Sequence, residues 1–404
     1  MAPRSRGAMA SSSSAAARPP SSTLKFEDGA AQFRLRLAAS LLTHRPVLIR
    51  NIRPDDLDAP GLREHEASYL RLLDKLTNGT TIEINSTGTQ MRFKPGVLLG
   101  GDVEHDCPVE GDDGGGGGSA RGVGWYLEGL IPLAPFGKEP LDLTLNGITD
   151  GTARIDPSPD YLQSSLMPLL LRFGVGDDDD EGPPPSIRVL RRGGAPNGGG
   201  AVRFCCPIVR EIPRPLDFTD EGKVKRVRGT AVTLRVPPSS GARAAHSAKG
   251  LLHRLLPDVW VHTDNYRGKG CGSSPGMSIR LSAESTTGVT LTAETCLDPR
   301  RDKGGAVLPE DLGTRAAAML LEEVRKGGCV DTSAQATALL LMCLGPEDVA
   351  RIRVGTLSAY SVEALRLFKR AFDVEFKVRA DEETRTVLLS CLGTGYRNMA
   401  RAST

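Results

Sequence analysis

Residues 186–208 read SIRVLRRGGAPNGGGAVRFCCPI, two apolar-rich runs around a loop of glycine, proline and asparagine. The runs, Ser186 to Arg192 and Ala201 to Ile208, have strand character. The Pro-Asn-Gly-Gly-Gly centre supplies residues that tolerate positive φ and close backbone approach. Two readings of the loop stand: a hairpin turn, or a row of backbone N–H groups facing a phosphate. No P-loop lysine follows it.

Working outward, the strand-like run LDLTLNGI (Leu141 to Ile148) and a helical stretch from Ser158 to Phe173 precede this pair. The same order occurs earlier. PVLIRNI (Pro46 to Ile52) leads into the helix Gly61 to Leu76, then TIEI (Thr81 to Ile84) and QMRFKPGV (Gln90 to Val97). The earlier helix places Leu62, Tyr69, Leu72, Leu73 and Leu76 on one stripe. The order occurs a third time in RIRVG (Arg351 to Gly355), the helix Ser361 to Phe372, VEFKV (Val374 to Val378) and TVLLSCL (Thr386 to Leu392). Each copy follows a helical stretch: Ala31 to Leu42, Gly124 to Leu133, and the pair Pro309 to Lys326 with Thr332 to Leu344. Three α-β-α-β-β units predict a layered α/β (α+β) fold forming one large domain. Between the second and third, TAVTLRV, HSAKGLLHRLL, VWVHT, SIRLSAE and VTLTAE predict a smaller inserted α/β domain. The expected domains are a disordered tail over 1–23, the large domain's first two units over 24–215, the insertion over 216–305, the third unit over 306–398, and a tail over 399–404.

The 404 residues are 39% hydrophobic, enough for a sizeable core, and no apolar run is long enough for a membrane span, so a soluble protein is expected. The acid-free Ser, Ala, Pro and Arg of residues 1–23 cannot bury enough apolar surface to fold alone; a transit peptide shares that composition. EGDDGGGGGS (Glu110 to Ser119) and GDDDDEGPPP (Gly176 to Pro185) read as surface-loop insertions. None of the eight cysteines forms a CxxC pair, and the six histidines are not at zinc-ligand spacing with them, so reduced thiols and no metal are expected. A net charge of +2 excludes a generic polyanion binder. The local exception is GKVKRVRG (Gly222 to Gly229), where Lys223, Lys225, Arg226 and Arg228 form either an RNA or partner contact or a solvated strand edge.

The stretch Arg192 to Val202, RGGAPNGGGAV, matches a signature of the RNA 3'-terminal phosphate cyclases through Arg192, Gly193, Pro196, Gly198, Gly199 and Gly200. The resemblance runs from about Leu24 to Asn398. It is closer to the eukaryotic cyclase-like branch, in LLDKLTNGTTIEIN, GGDVEHDCP, RGVGWYLE, GKVKRVRG, AVLPEDLG and RKGGCVD. That resemblance implies ribosome biogenesis in the nucleus and nucleolus: processing of pre-ribosomal RNA for the small (40S) subunit, with RNA binding, a ribosome-assembly GTPase partner and a small-subunit processing complex.

Cyclases of this family carry a nucleotide on a histidine just before the last helix, in a segment resembling His-Pro-Ser-x-His. The aligned stretch here is Thr356 to Tyr360, so Tyr360 occupies the nucleophile's place, and no histidine follows His262. A phenol with an ordinary pKa near ~10 is a poor nucleophile at neutral pH. Tyr360 is expected to open the last helix as a half-buried structural residue. The family's Gly-Glu-Gly-Gly-Gly-Gln-like stretch is reduced to Asp28 through Arg34, which keeps Gln32 and Arg34 and loses the glutamate and most glycines. Arg34, Arg50, Arg53 and Arg63 are candidates to line a phosphate or RNA cleft, or an ordinary surface.

The resemblance therefore implies a pseudoenzyme, a non-catalytic assembly factor with no cofactor; Arg366, Lys369 and Arg370, together at i, i+3 and i+4 on the last helix, form either its docking patch or the solvated outer face of that helix. The alternative is an endoribonuclease drawing on His65, His105 and Asp106, whose spacing assembles no site. A retained cyclase using Tyr360 is the third reading.

Overall fold

Strict alternation in Leu141–Gly147, where every second side chain is buried, makes a strand with one face on the core. Gln335–Leu344, QATALLLMCL, is apolar nearly all round and forms a helix with every residue buried. A computed structural model describes residues 22–109, 120–152, 156–177, 182–297 and 307–401. Most of the expected 1–23 tail, the Glu110 to Ser119 insertion, the acidic centre of the second insertion and the end of the 399–404 tail lie outside these residues.

The chain runs β1 (Leu24–Phe26), α1 (Phe33–Thr43), β2 (Val47–Ile49), α2 (Glu64–Leu76), β3 (Thr77–Asn78), β4 (Thr81–Ile84), β5 (Met91–Lys94) and β6 (Val97–Leu98). It continues through β7 (Gly101–Asp106), α3 (Val123–Leu130), β8 (Leu141–Gly147), α4 (Pro159–Arg172), β9 (Ser186–Arg191) and β10 (Gly200–Cys206). Next come β11 (Asp217–Phe218), β12 (Val224–Leu234), α5 (Pro238–Leu252), β13 (Val259–Tyr266), β14 (Gly276–Ser285) and β15 (Thr290–Cys296). The last elements are α6 (Pro309–Lys326), α7 (Gln335–Leu344), β16 (Val349–Val354), α8 (Ala359–Phe372), β17 (Lys377–Asp381) and β18 (Thr386–Leu392).

Three four-stranded sheets, β1-β2-β5-β4, β7-β8-β10-β9 and β11-β16-β18-β17, share one connectivity: a parallel pair at one edge, then two antiparallel neighbours. A fourth, β13-β12-β14-β15, is covered on one face by α5 and α6. The fold is thus mixed α/β. Ser158 caps α4 by accepting from the Tyr161 N–H, and Ser358 caps α8 by accepting from the Ser361 N–H.

Two details differ from the sequence expectation. Each of the three related sheets has a further edge strand, β1, β7 or β11, beyond the expected three. These strands are short or, in GDVEHD, too charged to read as apolar alternation. Consequently β11, inside the expected insertion, pairs with β16 of the third unit. Conversely α6, expected with the third unit, packs against α5 and β15, because Leu312, Ala316, Ala317 and Leu320 complete the core of the fourth sheet.

The seam between the fourth sheet and the rest is polar and buried. Asp331 accepts from the Ser165 hydroxyl (2.7 Å), the Tyr161 hydroxyl and the Ala334 N–H (3.0 Å), while Glu294 on β15 accepts from the N–H (2.7 Å) and hydroxyl of Ser158. Every buried donor lost from such a seam leaves a carboxylate unsatisfied, so it fixes one docking geometry.

Candidate functional site

The N-terminal ends of α1 and α8, 328 residues apart in sequence, meet where the Gln32 side-chain amide donates to the Tyr360 carbonyl oxygen (2.9 Å). Gln32 sits in the left-handed region, φ 49°, turning the chain into α1. Two residues on, Arg34 pairs with Glu128 of α3 (2.7 Å), donates to the Trp125 carbonyl and lies over the Trp125 ring, 4.8 Å from its centre. Gln32, Arg34 and Tyr360 are therefore neighbours. Glu128 was not singled out in the sequence; only its place in RGVGWYLE pointed to it.

The electrostatics of this junction favour neutral phenols. Loss of water pushes the Tyr360 hydroxyl above its ordinary range, against the opposing charge of Arg34 and with help from Glu128. Burial alone would lower the Arg34 guanidinium, but its neighbours, Glu128 first, hold it above its usual value. Beneath them the Tyr69 hydroxyl is fully buried, has no hydrogen-bond partner among the described residues and is also shifted upward by burial. The cavity bounded by Arg34, Glu128, Gly129, Thr337 and Tyr360 measures about 20 Å³. That is space for about one water, against roughly 300 Å³ or more for a ligand pocket.

The remaining candidate cations are each engaged or dispersed. Arg50 pairs with Glu27, Arg53 with Glu66 and Arg63 with Asp56. Like Arg34, each has a carboxylate beside it. On β12, Arg226 pairs with Glu284 (2.6 Å) and Arg228 forms a two-pronged pair with Asp258 (2.8 and 2.9 Å), while Lys223 and Lys225 are exposed. On α8, Arg366 pairs with Glu363 and Lys369 with Glu375, and Arg370 donates to the Lys25 carbonyl and lies over Phe26. His65 and His105 are buried. His65 meets the Trp125 ring edge-on, and the second ring nitrogen of His105 is 2.8 Å from the Ser68 hydroxyl. Burial, aided by Lys75, lowers His105 to about 4.

The loop in RGGAPNGGG is a hairpin connection: β9 and β10 pair antiparallel across it. Its donors turn inward. The N–H groups of Gly193, Ala195, Asn197 and Gly198 donate to the Thr149 hydroxyl, the Asp150 carbonyl, the Ser274 hydroxyl and the Gly194 carbonyl. Gly198 and Gly199 take positive φ, 63° and 77°, and a Cβ on Gly193 would fall 2.2 Å from the Gly200 nitrogen. Arg192 is buried between Asp150 (3.2 Å) and Asp160, and its carbonyl accepts from the Gly272 N–H of the inserted unit. Pro196 lies within this turn. The loop therefore ties the second sheet to the fourth.

Beside the Tyr360 junction, and sharing Glu128 with it, a cleft of about 670 Å³ opens between α6 and β15 on one side and α3 and α4 on the other. Its carboxylates are already matched: Asp156 with Arg121, Glu322 with Arg325 and Glu323 with Lys326. Glu294 on its floor is raised by burial to about 8, against the opposing hydrogen bonds from Ser158, so it is largely uncharged at neutral pH. This cleft has the volume of a ligand site. Its residues come from four distant segments, which no sequence spacing could have joined.

The sheets, the hairpin joint and the α1/α8 junction define one class of protein: the chain belongs to the RNA 3'-terminal phosphate cyclase family, whose model matches residues 25–378. Within it the chain falls in the eukaryotic cyclase-like branch. It is 45% identical over 374 residues to the human "RNA 3'-terminal phosphate cyclase-like protein", covering 91% of this chain and 95% of that one. It is 43% identical over 390 residues to the "Probable RNA 3'-terminal phosphate cyclase-like protein" of Dictyostelium discoideum, covering 94% and 100%. It is 40% identical over 381 residues to the "rRNA processing protein rcl1" of Schizosaccharomyces pombe, covering 94% and 98%.

Proposed function

We propose that this chain acts in rRNA processing as a ribosome-biogenesis factor that keeps the cyclase fold without cyclisation. A relative of matching length and 40% identity carries the rRNA-processing name. The observation that supports the loss of cyclisation is Tyr360 itself: a phenol shifted further towards its protonated form stands where the resemblance puts the family's histidine. The role extends to pre-ribosomal RNA of the small subunit, in the nucleus and nucleolus, together with a ribosome-assembly GTPase. The exposed α8 cations Arg366 and Lys369 are the docking candidates, their carboxylate partners sitting on an equally exposed surface. The endonuclease reading has no such support, since His65 and His105 are both buried.

The test is incubation of the full chain with α-labelled ATP and an RNA ending in a 3'-phosphate. No protein-bound label and no cyclic phosphate are expected, alongside accumulation of small-subunit rRNA precursors when the protein is depleted. Label that disappears in Tyr360→Phe, with cyclic product formed, overturns the proposal.

A further inference from the structure

The fourth sheet has two unequal faces. The odd-numbered residues of β12, Val227 and Ala231, with Val259, Val261, Ile279 and Leu281, form its buried core under α5 and α6. On the other face, β14 and β15 are covered by the large unit: Arg280 donates to Ser164 and Glu294 reaches Ser158. Lower down, Val232, Leu234, Cys271 and Tyr266 pack together next to the hairpin loop, with Arg192 over the Tyr266 ring. Among the described residues, this leaves that face of the upper half of β12 and of the edge strand β13 uncovered.

That uncovered half holds one of the chain's two tryptophans. Trp260 is 60% exposed, whereas Trp125 is 6% exposed. Register places Trp260 directly beside Arg228, and His262, the next residue on the same face, beside Thr230. Arg226 follows Arg228 on that face, and exposed Lys223 and Lys225 lie at the head of β12. Asp258 holds the Arg228 guanidinium and Glu284 holds that of Arg226, but neither lysine has an ion-pair partner among the described residues. A large exposed aromatic on an edge strand, with Lys223, Lys225, Arg226 and Arg228 alongside against Asp258, Glu284 and Asp264, has the chemistry of a base-stacking surface with phosphate contacts beside it. A duplex offers no free base face to such a ring, so the complementary partner is single-stranded.

We propose that Trp260 and His262 on β13, with Lys223, Lys225, Arg226 and Arg228 on β12, form a platform for single-stranded RNA. This rests on the reading that the chain handles rRNA, and it names the surface that does so. Trp260 stacks on a base, the lysines contact the flanking phosphates, and the edge position of β13 leaves the strand free to run past the sheet.

The probe is an unstructured oligouridine of about ten nucleotides, within the site size of one such sheet. Binding to the full chain and to each variant is followed by the fluorescence anisotropy of an end-labelled oligouridine, and in the parent also by tryptophan emission, to which the exposed Trp260 answers and the buried Trp125 does not. RNA is expected to quench the emission. Trp260→Ala is expected to remove the quench and weaken binding about ten-fold or more. Trp260→Phe retains part of the affinity, and all variants melt like the parent because the side chain is on the surface. Replacing Lys223 and Lys225 by alanine makes the salt dependence shallower by roughly 0.7 log unit per lysine. Equal affinity and equal salt slope in parent and variants overturn the platform while leaving RNA binding elsewhere intact. No binding by the parent also overturns it, and the rRNA-processing role is then decided separately by precursor accumulation on depletion. If Trp260→Ala loses a protein partner while RNA binding is unchanged, the face belongs to protein and the proposal fails.

Discussion

The hairpin joint at Arg192 and the α1/α8 junction at Tyr360 are both places where segments distant in the chain meet, yet one is closed by packing and the other leaves a small cavity. At the joint, four backbone N–H groups donate internally, Gly193 touches backbone and Arg192 spans two aspartates. The Asn197 side chain is exposed, but these four backbone donors all turn inward. At the junction, the same ingredients, an arginine, a carboxylate and a loop in a left-handed turn, surround a small cavity. On the proposed loss of cyclisation, a pattern held by packing is expected to persist, because residues such as Arg192 and Gly193 are fixed by their contacts. A pattern held by chemistry is free to change once the chemistry goes.

The sharpest way to break this contrast is Arg192→Ala. It leaves Asp150, fully buried, and Asp160 without their cation, and a stability loss of about 3–5 kcal/mol is expected by chemical denaturation. Gly193→Ala, whose Cβ meets rigid backbone, belongs with it. A loss under about 1 kcal/mol in both would mean that the joint is not what keeps the signature. At the junction, Arg34→Ala is expected to cost less, about 1–2 kcal/mol, because Glu128 is partly open to water and can be rehydrated. An equal or larger loss at Arg34 would reverse the order of the two regions.

A third test uses pH. Glu294 sits near 8 in the fold against 4.5 in the open chain, so the folded state holds its proton longer. The stability this gives is complete below about 4.5 and is lost as pH rises towards about 8. His105 sits near 4 against 6.5, so its contribution is complete above 6.5 and is lost as pH falls towards 4. The two oppose each other below 6.5. Between about 6.5 and 8 only Glu294 of this pair acts, and stability is expected to fall with rising pH by at most about 1.4 kcal/mol per unit. Glu294→Gln, which keeps an acceptor for the Ser158 N–H, is expected to flatten that limb. An unchanged limb would show that the seam beneath the large cleft does not carry the titration.

The sequence made the repeating order of elements legible because strands such as Leu141–Gly147 and helices such as α8 bury one face only, and that periodicity is written in the residues. It hid β7 and β11, the first because its alternate residues are charged and the second because two residues show no period. It also hid the assignment of α6, whose apolar stripe fits either neighbour equally well as sequence. Of the junction, Gln32, Arg34 and Tyr360 were found through alignment with the family. Glu128 and the cleft with Glu294 were not, since their partners are set by tertiary contacts across the whole chain. The arginines Arg50, Arg53 and Arg63 read in the sequence as cleft candidates or ordinary surface, and only the structure showed a carboxylate beside each.

The smallest effect is expected at Tyr360 itself. Gln32 bonds to the Tyr360 carbonyl, so Tyr360→Phe keeps the contact between α1 and α8. The hydroxyl it removes belongs to a side chain that is 40% exposed. Stability is therefore expected to change by no more than about 0.5 kcal/mol, with precursor processing unaltered. Tyr360→His carries the same argument further. It puts a histidine where the resemblance places the family's nucleophile, while the space bounded by Arg34, Glu128 and Thr337 remains about 20 Å³, smaller than a nucleotide. No protein-bound label from ATP is expected. If the histidine alone restored labelling, the residue and not the closed cavity would be what separates this chain from a working cyclase, and the junction would have kept its chemistry as the hairpin joint kept its packing.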